Sequence, residues 1–88
     1  MNNKIWKFPL EVVDKQLIKL PEGAEILSVQ SQHGTPHIWA LVDPEENKGV
    51  ERTFHIFNTG DDVSPVERKF IGTYQLLSGE VYHLFEAL

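Results

Sequence analysis

No cysteine occurs in the 88 residues, which removes disulfide frameworks, thiolate metal sites and cysteine nucleophiles together. Basic side chains are scarce: eight Lys and Arg stand against thirteen Asp and Glu, a net charge of -5. Affinity for duplex phosphates rests on clustered Lys and Arg, so duplex nucleic acid is excluded as a partner, although a local basic pocket for a small anion is compatible with this balance. Glycine-rich phosphate loops are missing as well, Gly60 and Gly72 being isolated. So are long apolar runs. The opening "MNNKIWKFPLEVVDKQ" is broken by Pro9, Glu11 and Asp14, which reads as neither signal peptide nor membrane helix and makes the cytoplasm the expected compartment, with no membrane partner.

Hydrophobic residues at 41% and charged residues at 24% are the composition of a chain that folds. Eighty-eight residues close one core and not two, so residues 1–88 are expected to form a single domain. A domain this small buries a modest share of its surface, and self-association would add stability.

The apolar spacing is that of strands. In "KIWKFPLEVV", Trp6, Phe8, Leu10 and Val12 alternate against Lys7, Pro9 and Glu11, and Pro9, which has no amide hydrogen, belongs on a sheet edge. "KQLIKLP" follows and ends in the turn "PEGA". Next, "SVQSQHGTPHIWALVD" reads as a hairpin turning at Gly34-Thr35. That turn pairs Leu27 with Val42, Val29 with Ala40 and Ser31 with Ile38 on a core face. Its other face pairs Ser28 with Leu41, Gln30 with Trp39 and Gln32 with His37. In "ERTFHIFNTG", Phe54 and Ile56 face one way and Thr53, His55 and Phe57 the other, as in a strand covered on both sides. A second hairpin with Ser78-Gly79 at its tip pairs Tyr74 with His83, Gly72 with Phe85 and Gln75 with Tyr82. Six or seven short strands and at most one helical turn, at Pro65 to Arg68, define an all-β class: a small antiparallel sandwich or barrel.

Catalytic and metal chemistry find little to stand on. His33 and His37 have a metal-like spacing, but it straddles a hairpin tip and no third ligand is evident, so no metal is expected. No serine sits in a nucleophile-elbow context, and the carboxylates cluster in solvated loops. An enzyme is not expected, nor is a cofactor. Binding fares better. Gln30, Gln32, His37 and Trp39 combine flat aromatic area with donors and acceptors suited to a planar heterocycle. Arg52 is a candidate fork for a phosphate or carboxylate. Tyr74, Gln75 and His83 extend the candidate ligand site from the second hairpin. Each has a plainer alternative: Trp39 as sheet packing, the glutamines as backbone partners, Arg52 as a surface ion pair with Glu51, and Tyr74 with His83 as a cross-strand pair.

The run "ILSVQ-x-Q-x-G-x-P-x-x-WALVD", with "ERTFHIFNTG" and "FIGTYQL…GEVYHLFE", resembles a family of small bacterial and phage domains of unknown function. The resemblance spans nearly the whole chain. It departs at Asp61, where the family pattern carries a histidine soon after Thr-Gly. What it implies is a compact all-β domain, often phage or prophage encoded and then located in the host cytoplasm, with no assigned chemistry. The resulting expectation is a homo-oligomeric, non-enzymatic accessory protein that sequesters a small nucleotide-type immune signal of the host. The alternative is an interaction module that docks on a host or virion protein.

Overall fold

The computed structural model describes residues 3–88, which form seven antiparallel strands and no helix. The strands are β1 (Lys4–Pro9), β2 (Lys15–Pro21), β3 (Glu25–Gln32), β4 (Thr35–Val42), β5 (Gly49–Asn58), β6 (Arg68–Gln75) and β7 (Val81–Ala87). They build a three-stranded sheet, ordered β1-β4-β3, and a four-stranded sheet, ordered β2-β5-β7-β6. No helical turn forms at Pro65 to Arg68; β6 begins at Arg68 instead.

Alternation builds the core. β4 buries Pro36, Ile38, Ala40 and Val42 and leaves His37, Trp39 and Leu41 half-buried on its other side. β5 sends Phe54 and Ile56 inward, and β7 sends Tyr82 and Leu84. Val29 of β3 and Tyr74 of β6 join them in one cluster shared by the two sheets, together with Leu10 and Leu20. Full burial of side chains such as Phe54, Ile38 and Leu84 contributes about 2 kcal/mol each. Pro9 does lie in an edge strand, β1. The inward run stops sooner than its spacing implied: the chain leaves the sheet after Pro9, so Leu10 is buried but Val12 is exposed. Gln16 braces that departure, donating Nε2–H to the Glu11 carbonyl and accepting the Glu11 amide.

Both hairpins turn at positions other than those expected, for reasons of backbone geometry. The first turns at His33-Gly34, where both residues have positive φ (52° and 81°), the requirement of a two-residue type I′ turn. Val29 therefore opposes Ile38, not Ala40, and Gln30 opposes His37, not Trp39. Each partner moves by two residues, and because side chains alternate with a period of two, every one from Ser28 onward stays on its expected face. Leu27 does not. A bulge between Ile26 and Ser28 leaves it unpaired and exposed, and Ile26 takes the inward place opposite Ala40. In the second hairpin the loop is Leu77-Ser78-Gly79, closed by Leu76 and Glu80, with Gly79 left-handed. This three-residue loop shifts the pairing by one. Tyr74 opposes Tyr82, Thr73 opposes His83, and Gln75 opposes Val81. Gly72 lies opposite Leu84, whereas Phe85 opposes Phe70 across a second bulge. The bare backbone at Gly72 admits Val29, whose Cγ1 would lie 2.9 Å from any Cβ placed there. That approach, with the Ser31 hydroxyl donating to the Gln75 carbonyl at 2.7 Å, sets the edge of β3 beside the edge of β6.

Candidate functional site

The outer face of the three-stranded sheet follows from the register. Ile5 lies beside Leu41, Lys7 beside Trp39, and Pro9 beside His37. On the far side Trp39 is flanked by Ser28, His37 by Gln30, and Thr35 by Gln32. Trp39 thus stands on the central strand with carboxamides and a hydroxyl on one side and a lysine on the other. An open depression of about 560 Å³ is lined by Trp39, Ile5, Leu27, Ser28, Gln30, Ser31 and Gln32. Its walls are mostly apolar atoms, with the polar groups grouped along β3.

Hydrogen bonding orients several of these groups. The Lys7 ammonium reaches across β4 and donates to Gln32 Oε1 at 2.6 Å. His37 Nδ1 lies 3.0 Å from the Thr35 carbonyl, the geometry of a ring N–H donor, and the ring sits 5.7 Å from the Trp39 indole at a tilt of 58°. Gln30 is exposed and makes no side-chain hydrogen bond among the described residues. Such a face can stack a flat ring on the indole and read its edge with amide donors and acceptors. It holds one ammonium and no arginine.

The other candidate residues lie elsewhere or at the margin. Arg52, on the inner side of β5, donates Nε–H and an Nη2 proton to the two Glu86 oxygens at 2.5 and 2.8 Å. Its Nη1 donates to the Ala24 carbonyl at 2.6 Å. Its partner is Glu86, not Glu51, and the pair is largely withdrawn from water, so the guanidinium ties β5, β7 and the β2–β3 turn together. Tyr74 is buried against Tyr82, their rings stacked with centroids 5.7 Å apart. Its hydroxyl is buried without a hydrogen-bond partner among the described residues, and burial first, then the neighbouring Tyr82, pushes its pKa up to about 12. His83 is held on both nitrogens, by Thr59 at 2.8 Å and Thr73 at 2.9 Å, on the outer side of the four-stranded sheet. Gln75 is exposed at the seam, its carbonyl on Ser31, and so borders the depression. Of the eight candidates, then, four share one face, one borders it, and three belong to other surroundings.

Ile5, Lys7, Leu27 and Ser28 complete the face. Outward alternation marks Ile5, Lys7 and Ser28. Nothing in the sequence marks Leu27, which the bulge alone brings out.

No cluster of three or more His, Asp or Glu side chains able to hold a metal exists among the described residues. Nor is any helix there long and apolar enough to cross a membrane. Fold and face together define a small all-β protein of two antiparallel sheets with one polar-aromatic outer surface. The chain belongs to the family described as a domain of unknown function, DUF7352, whose model matches residues 1–88. No curated protein and no solved structure matches it.

Proposed function

We propose that this protein is a non-catalytic binding module whose Trp39 face takes a planar, nucleotide-like ligand. The observation that carries the reading is the placement of Trp39, Gln30 and Gln32 around one depression of about 560 Å³, a volume ordinary for small-molecule sites. The indole supplies stacking area, the carboxamides supply edge recognition, and Lys7 supplies a single ammonium for an anionic substituent. Capture without turnover needs no more than this. Withdrawal of a host signalling nucleotide by a phage-encoded protein is one use of such capture, and it draws on the family resemblance alone.

Thermal shift and quenching of tryptophan fluorescence with a panel of cyclic nucleotides and ADP-ribose-type compounds test the reading. A ligand held at the site raises the melting temperature. Trp39→Ala is expected to weaken that ligand about tenfold or more while leaving the fold intact. A full panel without quenching or shift overturns the proposal. A second reading, docking on another protein, is favoured by two observations: the depression opens broadly to solvent, and Arg52 is engaged elsewhere, leaving no guanidinium fork for a phosphate. A bound protein released by Trp39→Ala, with the nucleotide panel silent, would establish it.

A further inference from the structure

We infer that a second copy of the chain packs on the outer face of β1-β4-β3, so that the depression is half of a site closed by the partner. The inference rests on the ligand reading only for what enters between the copies; the packing itself stands on the following observations.

A compact monomer of 10.1 kDa exposes about 5,300 Å². This chain exposes 5779 Å², an excess approaching one partner's share of a small interface. With extents of 42 × 32 × 16 Å the molecule is a flat slab that carries much of this surface on its two broad faces, and the sheet edges are poor sites for a partner. β1 carries Lys4, Lys7 and Pro9 and β2 carries Lys15, Lys19 and Pro21, which obstruct strand addition, while the bulged edges of β3 and β6 lie against each other. A second copy must therefore meet a face.

The two outer faces differ in how they suit a copy of themselves. On the four-stranded sheet the Arg68 guanidinium already lies over the Phe57 and Phe85 rings, at 5.3 and 5.9 Å. Lys15 and Lys19 flank it against Glu51 alone, so two such faces carry like charge toward each other. The three-stranded face is balanced. Lys7 on β1 is matched by Glu25, which the bulge turns outward beside Leu41 on β3.

The symmetry follows from strand order. β4 is central, so a two-fold axis running along it sets β1 of one copy over β3 of the other. By the two registers Ile5, which is 59% exposed, then lies level with Glu25 of the second copy and Lys7 level with Ser28, and Leu27, which is 43% exposed, sits in the bulge between those rows, so Ile5 meets Leu27 and Lys7 meets Glu25 on the diagonal. Trp39 meets Trp39 across the axis. A flat ring entering there is stacked between two indoles, with one pair of glutamines from each copy. One ligand per two chains is the consequence.

Sedimentation of the purified protein over a wide concentration range, alone and with each of the cyclic nucleotides and ADP-ribose-type compounds of the same panel, tests this. The expected result is a dimer that Leu27→Asp weakens at least about tenfold, with the ligand bound at one per dimer. Ile5→Asp is the second variant if Leu27→Asp fails to fold, since Ile5 is exposed on an edge strand. A monomer at every concentration overturns the inference, as does a dimer indifferent to both variants. One ligand per chain on a monomeric protein also overturns it while leaving the ligand reading in place. Absence of any quenching compound defeats the ligand reading, and the sedimentation of the unliganded variants still decides the packing.

Discussion

Tyr74 and Arg52 show opposite ways of burying a polar group. The Arg52 fork is met by both Glu86 oxygens and the Ala24 carbonyl, so its removal would strand a carboxylate that is 8% exposed. The Tyr74 hydroxyl has no hydrogen-bond partner among the described residues. A buried, unpaired hydroxyl opposes folding, so Tyr74→Phe should leave the protein as stable as before or more stable by about 1 kcal/mol. The raised pKa adds a signature in pH. An unfolded tyrosine ionises near 10 and the folded one near 12, so below pH 10 both states are neutral and stability is unaffected. Between these values the unfolded state loses its proton first, and stability falls as pH rises. Urea unfolding at pH 9, 10 and 11 should show that decline in the parent protein and a shallower one in Tyr74→Phe. An equal decline in both would mean that Tyr74 ionises freely in the fold.

At the scale of elements, the turns decide where side chains meet. Gly34 sits at φ 81°, and a Cβ there would come within 2.9 Å of Leu77 Cδ1 on the neighbouring hairpin. Gly34→Ala should cost about 1–2 kcal/mol from left-handed backbone strain, since the exposed Leu77 side chain can turn aside from the methyl, and the loss is measurable as a lower urea midpoint with unchanged slope. A substitution without effect would place the turn elsewhere than His33-Gly34. Such turns mark what was legible in the sequence. Alternation alone assigned Val29, Ile38, Ala40 and Val42 to the core and Gln30, Gln32, His37 and Trp39 to the opposite face, because period-two spacing survives a register shift of two. It could not survive a shift of one, and the Leu77-Ser78-Gly79 loop separated Tyr74 from His83 by that single step. The position of Leu27 was illegible for the same kind of reason: a bulge is a choice of backbone path, and leucine suits either side of it. Arg52 was misplaced because its acceptors lie 34 and 28 residues away in the chain, where local spacing carries no information.

Across the whole molecule the two sheets are joined by little ladder bonding and much shared interior. Val29 and Ile38 from one sheet and Phe54, Tyr74 and Leu84 from the other form one cluster, and the β3–β6 seam fastens them through Val29 against Gly72 and Ser31 on Gln75. Neither sheet can bury its inner face without the other, so loss of one exposes the other's apolar side. Unfolding should therefore be a single cooperative transition. Residue placement supplies two separate reporters. Trp6 and Trp39, the two tryptophans, lie in the three-stranded sheet, whereas Tyr74 and Tyr82, the two tyrosines, lie in the four-stranded sheet. Tryptophan fluorescence and tyrosine absorbance followed through the same urea titration should give coincident midpoints. Gly72→Ala, which pushes a methyl against Val29 at the seam, should lower both midpoints together. Midpoints that separate, with the tryptophan signal lost first, would mean that the three-stranded sheet melts while the other persists. The face built around Trp39 would then depend on its own hairpin and not on the shared core.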